Sequence, residues 1–270
     1  MEELKLIGQG RTADIYEFQD DTIIKLYKQS FPHDAIVQEF EVSKFVYSLG
    51  IKTPLPVKIT QADSRTGIVY ERIHGTSLLK LITTMPWLID KHSKTLAKLH
   101  YDIHSHPDVS GELRDQKGCL IENINKAPLL DKDEKEKIIA YLKELPTKSK
   151  LCHGDFHPDN VLVGEKTIII DWMTGMSGNP AGDVARTALL LSHGTMPEES
   201  PQMVKNMVAK LRNRMKSVYL KHYMRWSGLA LSDIESWILP VAAARLTEWL
   251  PDEEKEELIK IIRERLSEGR

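Results

Sequence analysis

The sequence predicts a two-lobed α+β protein, with a small antiparallel sheet first and a larger, mainly helical region after it. Three observations carry this. Between residues 4 and 71 the apolar residues fall in short runs separated by glycines or paired aspartates, the pattern of strands and tight turns. That pattern is interrupted over residues 34–49, where apolar residues recur at helical spacing. After Gly75 helical spacing dominates, and the exception is a polar run with two short apolar strands between residues 151 and 172. Strands first and helices afterwards is the order expected of an α+β chain.

The first strand, Leu4-Lys5-Leu6-Ile7, leads into Gly8-Gln9-Gly10-Arg11-Thr12-Ala13, and Ile15, Tyr16 and Phe18 continue beyond it. Asp20-Asp21 turns the chain into the strand Thr22–Tyr27. Strands bracketing glycines suit a hairpin whose tip lies over phosphates, because glycine lets backbone N–H groups come close. The same pattern also fits an ordinary turn. Lys25 stands inside an otherwise apolar strand. It is either a lysine facing solvent or an ammonium that pairs with phosphate oxygens, and the second role needs a carboxylate partner. The helix over 34–49, with Asp34 as N-cap and Gly50 as its stop, offers two. Its apolar stripe is Ile36, Val37, Phe40, Phe45, Val46 and Leu49. Glu39 and Glu41 lie on different faces, so only one can point towards the strand.

Thr53-Pro54-Leu55-Pro56 ends that helical stretch, and Val57–Thr60 and Gly67–Tyr70 form two more strands around Asp63-Ser64-Arg65. Glu71-Arg72-Ile73-His74-Gly75 marks the change of pattern, which divides the chain into lobes at 1–72 and 73–270. Beyond it the spacing predicts helices over Leu78–Leu81 and Trp87–His100, a polar loop over 101–118, and a charged surface helix over Asp133–Leu145. A glycine-rich loop, Met173–Gly182, precedes a helix Val184–Ser192 capped by Asp183. Met203–Trp226 is a long helix, basic on one face. Ser232 caps a helix to about Leu246 that Pro240 kinks. Pro251 opens a last helix to Ser267, whose acidic run 252–257 reads as a solvated face at the positive end of the helix dipole. The tryptophans Trp172, Trp226, Trp237 and Trp249 read as packing residues.

The polar run is His153-Gly154-Asp155-Phe156-His157-Pro158-Asp159-Asn160. The strands Val161–Val163 and Ile168–Ile170 follow, around Gly164-Glu165-Lys166, and the second delivers Asp171. This predicts a hairpin with Asp155, Asn160 and Asp171 gathered at one end. Two oxygen ligands beside a third carboxylate suit a hard cation and a proton acceptor. Cys152 and His153 are adjacent strand residues facing opposite sides, so they do not make a nucleophile–base pair. His100, His104 and His106 lack the ligand pattern of a zinc site.

Composition narrows the classes. The chain has 270 residues and a net charge of −2, which argues against a dedicated nucleic-acid binder. With 41% hydrophobic residues it has ample material for a core. No apolar run is long enough to span a bilayer and no signal-peptide pattern opens the chain. Two cysteines give no disulfide framework, so a reducing cytoplasm is expected.

Taken in order, Gly8-x-Gly10, Lys25, Glu39, the segment Glu71–Gly75, HGDFHPDN at 153–160 and the sequence IIDW ending at Asp171-Trp172 resemble the aminoglycoside phosphotransferase and choline kinase-like family. The resemblance spans nearly the whole chain, and HGDFHPDN is its most specific part. Gly178-Asn179-Pro180 and Asp183-Val184-Ala185-Arg186 are similar to the family's segment after the metal aspartate. It implies a bilobal protein kinase-like fold and a Mg²⁺-dependent transfer of the γ-phosphate of ATP, or GTP, to a hydroxyl of a small molecule. Aminoglycoside-like compounds, amino alcohols and sugars are the acceptor classes. The implied roles are Asp155 as catalytic aspartate, Asn160 and Asp171 as Mg²⁺ ligands, and Lys25 on the phosphates, held by Glu39. Gly8 and Gly10 would cover the phosphates, and backbone groups around Glu71 and Ile73 would bind the base. His153 and Asp183 would brace the catalytic loop. Asp159 stands where the family often has glycine, and would be an added acidic contact for a cationic acceptor.

The loop between Asp171 and Asp183 is too short for a protein kinase activation segment, and no Ala-Pro-Glu follows, so a protein kinase is the weaker reading. A nucleotide-binding pseudokinase scaffold is the alternative from another class, and the presence of Asp155, Asn160 and Asp171 weighs against it. The expected partners are a small hydroxyl acceptor, with no nucleic acid and no membrane, and the chain acts as a monomer or homodimer. The acceptor is expected beside the helices of residues 203–250 and the loop after Asp171. Basic and acidic residues balance beyond residue 75, which neither demands nor excludes a polycationic acceptor.

Overall fold

The computed structural model of the chain describes residues 4–108, 111–192 and 201–268. The chain forms two units, Met1–Leu81 with Pro158–Gly175, and Ile82–His157 with Met176–Arg270. The hairpin after the polar run therefore packs in the unit of the N-terminal sheet, although the sequence puts it far beyond residue 72.

The first unit is built on five antiparallel strands, β1 (Leu6–Gln9), β2 (Ala13–Glu17), β3 (Thr22–Tyr27), β4 (Pro56–Ala62) and β5 (Arg65–Glu71), in the order β1-β2-β3-β5-β4. Asp20 and Asp21 (φ 49° and 55°) and Asp63 and Ser64 (φ 47° and 58°) adopt the left-handed backbone that tight hairpin turns need. Short polar side chains tolerate it because they can bond locally. Alternation along β3 splits its residues between two clusters. Ile24 and Leu26 pack with Val69, Tyr16 and Phe18. Tyr27, with Ile23 against it, packs with Ile68, Tyr70 and Ile36 of α1 (His33–Ser48). Lys25 falls on the α1 side by the same alternation.

Helix α1 buries Ile36, Glu39, Val42, Ser43 and Val46. Its inward face thus includes a glutamate, and the stripe expected through Val37, Phe40 and Phe45 is only half-buried. Asp34 is not the N-cap. It lies inside the first turn, where the dipole favours an acid, and Pro32 occupies the cap position without a side-chain bond. A second small sheet, of order β10-β9-β6, joins β6 (Thr76–Ser77) to β9 (Val161–Val163) and β10 (Thr167–Ile169). Gly164 closes this hairpin against the preceding chain, and a Cβ there would fall 2.2 Å from the His74 carbonyl oxygen. After β6 comes the short helix α2 (Leu78–Thr84).

The second unit is helical around a three-stranded sheet. Its elements are α3 (Ile89–Ser105), β7 (Arg114–Asp115), α4 (Gln116–Lys126), α5 (Lys132–Glu144), β8 (Lys150–Cys152), β11 (Met176–Gly178), α6 (Pro180–Ser192), α7 (Gln202–Ser227), α8 (Leu231–Glu235), α9 (Ile238–Arg245) and α10 (Asp252–Ser267). Strands β7, β11 and β8 pair in that order. Leu96, Ile103, Val218 and Tyr219, from α3 and α7, are buried core residues.

Several expectations are corrected here. The 101–118 stretch is not all loop, since α3 continues to Ser105 and α4 begins at Gln116 behind an Asp115 N-cap; Val109 and Ser110 lie outside the described residues. The helix expected from Ser232 to about Leu246 is two, α8 and α9, and Pro240 sits in the first turn of α9, where an N–H would have no intrahelical partner, instead of kinking a helix. Ser232 lies within α8 rather than capping it. The acidic run of α10 is not wholly solvated, because Glu254 is buried against Arg245. Trp172 and Trp237 are core residues, whereas Trp249 is 79% exposed. Among the described residues no helix is long and apolar enough to cross a membrane.

Candidate active site

Lys25 donates to Glu39 Oε1 at 2.7 Å and to Asp171 Oδ1 at 2.9 Å. Glu41 points elsewhere and meets Lys44 at the surface. Two tyrosines of the same sheet face complete the Glu39 shell. Tyr27 donates its hydroxyl to Oε2 at 2.6 Å, and the Tyr70 hydroxyl, which also meets Ser43, lies 3.3 Å from Oε1. Burial by itself would push the Lys25 ammonium down, but Glu39 and Asp171 overcome it and raise it well above the usual lysine range. Burial pushes the Glu39 carboxyl up, against the pull of Lys25; with an ammonium and two hydroxyls donating to it, Glu39 is the ionised acceptor of the cluster. The tyrosines were not foreseen. Their signal is β alternation, which puts Tyr27 beside Lys25 on one strand face.

Asn160 ends a 3-10 turn, Pro158–Asn160, and its carbonyl accepts from the Ile170 amide at 3.0 Å. That bond continues the β9–β10 pairing, Val161 opposite Ile169, and brings Asn160 and Asp171 to one end of the hairpin. Asp171 adopts a left-handed φ of 65°, an uncommon backbone for a residue with a Cβ. Its side chain is 41% exposed. An amide oxygen beside a carboxylate is a donor set that fits a hard divalent cation such as Mg²⁺.

At the end of β5, the Glu71 amide donates to Leu55 O at 2.9 Å, and the Glu71 carboxylate accepts from the Leu55 amide. The Arg72 amide donates to Asp21 O. Gly8 lies within β1, opposite Ile15, and Gly10 opens the turn to β2, where its amide donates to Ala13 O at 2.9 Å.

In the second unit the loop 153–157 is held by one face of α6. Asp183, Arg186 and Thr187 lie three and four residues apart and so point the same way. The Asp183 carboxylate accepts from the backbone amides of His153 (2.6 Å) and Gly154 (2.9 Å). Gly154 has φ +77°, a turn that costs glycine little. Thr187 Oγ1 donates to Phe156 O at 2.8 Å, and Arg186 Nη2 donates to Asp155 Oδ1 at 2.9 Å. Asp183 is therefore not the helix cap. The helix starts at Pro180, and Asn179 Oδ1 accepts from the Ala181 amide instead.

Asp183 also meets His100 Nε2 at 3.0 Å and His104 Nε2 at 3.1 Å. His100 Nδ1 and His104 Nδ1 each meet a tyrosine hydroxyl, of Tyr219 and Tyr223, at 2.6 Å. The three residues have the composition of a cation site. Their spacings are those of hydrogen bonds, and every ring nitrogen already has a protein partner, so the cluster is a closed hydrogen-bond knot. Burial, aided by the neighbouring His104, pushes His100 down to about 3, so it is neutral and donates through Nε2. Burial alone would raise Asp183, yet the imidazoles hold it well below the usual carboxylate range. His106 stands apart, with Nδ1 2.9 Å from Asp102 O.

Asp155 keeps 31% of its side chain exposed. Burial would raise its carboxyl, but Arg186 and then His157 hold it well below the ordinary carboxylate range. His157 Nε2 lies 3.6 Å from Oδ2. Asp159 is exposed. The roles of Arg186, Glu248 and the two buried histidines were not read from the sequence, because their contacts with Asp155, with each other and with Asp183 join residues far apart in the chain.

The profile of the phosphotransferase enzyme family (APH) matches residues 3–216. No protein of curated description matches in sequence. Among solved structures, an aminoglycoside-3'-phosphotransferase of type VIII is 18% identical with a TM-score of 0.61, over 90% of this chain and 92% of the other. A ternary complex of streptomycin, ATP and the phosphotransferase APH(2")-IIa is 17% identical with a TM-score of 0.57, over 96% and 91%. Choline kinase from Cryptosporidium parvum Iowa II is 16% identical with a TM-score of 0.50, over 96% and 90%. At these identities the likeness establishes a shared fold, that of protein kinase-like phosphotransferases. The profile match extends over most of the chain, and with it the chain belongs to the phosphotransferase enzyme family and is a small-molecule kinase.

Proposed function

We propose that the protein transfers the γ-phosphoryl group of ATP, or GTP, to a hydroxyl of a small molecule, with Asp155 orienting that hydroxyl. The supporting observation is the state of Asp155: an ionised, partly exposed carboxylate on a loop whose backbone Asp183 fixes. An ionised carboxylate accepts a hydrogen bond from an alcohol and aims its oxygen, and phosphoryl transfer asks mainly for such alignment and for charge neutralisation. Lys25, kept charged by Glu39 and Asp171, supplies positive charge for phosphate oxygens. Gly8 and Gly10 would let the loop cover the phosphates, and backbone groups at Glu71 and Ile73 would hold the base. Asn160 and Asp171 would hold Mg²⁺, which when bound neutralises phosphate charge. Lys25 shares Asp171, so this aspartate would serve both the cation and the ammonium. Aminoglycosides, amino alcohols and sugars are the acceptor classes we expect, and the aminoglycoside and choline kinases among the similar structures support the first two. The two cysteines are free thiols, which supports a cytoplasmic setting.

The test is Mg²⁺-dependent ADP release across a panel of aminoglycosides, choline and other amino alcohols, and sugars. One acceptor should raise ADP release well above the water background. Asp155→Asn should lower kcat by about 10³-fold, with MgATP affinity within about threefold of wild type. Normal nucleotide binding without turnover on any acceptor would show a scaffold instead.

A further inference from the structure

Asp155 is the first member of a chain of alternating charges. Its Oδ1 accepts from Arg186 Nη2, and the other arm of Arg186, Nη1, binds Glu248 Oε1. Glu248 Oε2 meets Arg245 Nε at 3.3 Å, and Arg245 Nη2 donates to Glu254 Oε1 at 2.7 Å. The loop, α6, the turn after α9 and the first turn of α10 are thereby tied in one line. Arg245 is 2% exposed and Glu254 8%, so the far end is fixed.

The orientation of Arg186 depends on few bonds. Its Nε is buried and has no hydrogen-bond partner among the described residues, so the two terminal nitrogens carry its polar contacts with Asp155 and Glu248. One of these partners is the residue to be positioned. Glu248 is then the anchor, and Arg245 holds the anchor in turn. An arginine at a reacting carboxylate also has a cost: its charge competes with the acceptor hydroxyl for the same oxygens. A second carboxylate on the other arm offsets that charge while keeping the geometry.

We propose that Glu248, acting through Arg186, is a positioning residue for Asp155, fixing the guanidinium that orients the carboxylate and offsetting its charge. This rests on the reading of Asp155 as the group that orients the acceptor hydroxyl. Glu248 and Arg186 touch neither nucleotide nor acceptor in this scheme, so their substitution changes turnover and not MgATP binding.

The experiment measures ADP release from MgATP with water as the acceptor, so that no acceptor need be known, in wild type, Asp155→Asn, Glu248→Gln, Glu248→Asp, Arg186→Gln and the double variant Arg186→Gln/Glu248→Gln. Glu248→Gln should lower kcat about tenfold with KM for MgATP within about twofold, and Glu248→Asp should recover most of the loss. The double variant should match Arg186→Gln within about twofold, because Glu248 acts only through the arginine. Should Arg186→Gln fail to fold, Arg186→Lys, which keeps a charge and loses the fork, takes its place in the cycle. Wild-type kcat in Glu248→Gln, losses that multiply in the double variant, or a change in melting temperature with no change in kcat would overturn the inference while leaving the role of Asp155 intact. Turnover unaffected by Asp155→Asn would overturn both.

Discussion

Glu39 in the first unit and Asp183 in the second are both carboxylates with almost no exposed surface, and their partners differ in kind. Glu39 is held by side chains alone, an ammonium and two phenol hydroxyls. Asp183 is held by two backbone amides and two imidazoles. The difference separates a cluster that can act from one that fixes. Lys25 divides itself between Glu39 and the partly exposed Asp171, so the first cluster reaches solvent, and on the proposed function its ammonium would re-partner with phosphate. The second is sealed. Two of its hydrogen bonds come from main chain, and so it sets the shape of the loop that carries Asp155. A buried carboxylate needs donors in either case, and the choice of donors decides whether it serves chemistry or architecture.

The largest effect follows from emptying the sealed cluster. Asp183→Ala strands two backbone amides and two imidazole donors in the core at once. Each unsatisfied buried donor costs about 1–3 kcal/mol, so a loss of about 4 kcal/mol or more is expected in urea unfolding. Glu39→Ala should cost less, because Lys25 retains Asp171 and the Tyr70 hydroxyl retains Ser43. Equal costs, or the reverse order, would break the distinction between the two clusters.

The second effect is one of pH. The folded value of His100, about 3, lies below the ordinary histidine value of 6.5, so below pH 6.5 the unfolded chain binds a proton that the folded chain refuses. Stability from this group is complete above pH 6.5 and declines as pH falls towards 3, at up to about 1.4 kcal/mol per unit. Asp183, held low, adds its own decline only beneath the ordinary aspartate range. His100→Gln keeps a donor near Nε2 and removes the titration. Its stability should be flatter than wild type between pH 6 and 4, and an unchanged slope there would assign the acid loss to other groups.

These two clusters were not equally legible in the sequence. Lys25 sits in a strand whose alternation assigns it a face, and only one of two glutamates on the next helix can reach that face. Both facts are local in sequence. The β9–β10 hairpin was legible for the same reason, since short strands around Gly164 fix their own register. The Asp183 knot joins α3, α6, α7 and the loop after β8, and no spacing along the chain announces such a meeting. Asp183 invited a local reading as a cap because an apolar helical stretch follows it, but Asn179 already fills that role. Arg186 was within reach of argument once Asp183 faced the loop, because three residues on it shares that helix face. Glu254 looked solvated because it belongs to a charge run, and only the packing of α10 near Arg245 reveals its partner.

The smallest effect probes how evenly the Glu39 donors share their task. Tyr27 donates to Oε2 at 2.6 Å, whereas Lys25 and Tyr70 meet Oε1, the tyrosine at 3.3 Å with Ser43 as its other contact. Tyr27→Phe removes a short bond to a charged acceptor and should destabilise by about 1–2 kcal/mol. Tyr70→Phe removes a longer bond whose oxygen keeps Lys25, so about 0.5–1 kcal/mol is expected. Urea midpoints of the two variants and of Tyr27→Phe/Tyr70→Phe give the ordering. Near-additive losses would mean that the donors act independently on two oxygens, as their geometry suggests. A double loss as large as that of Asp183→Ala would mean that the hydroxyls, and not Lys25, hold Glu39, and the first cluster would then be as much a fixture as the second.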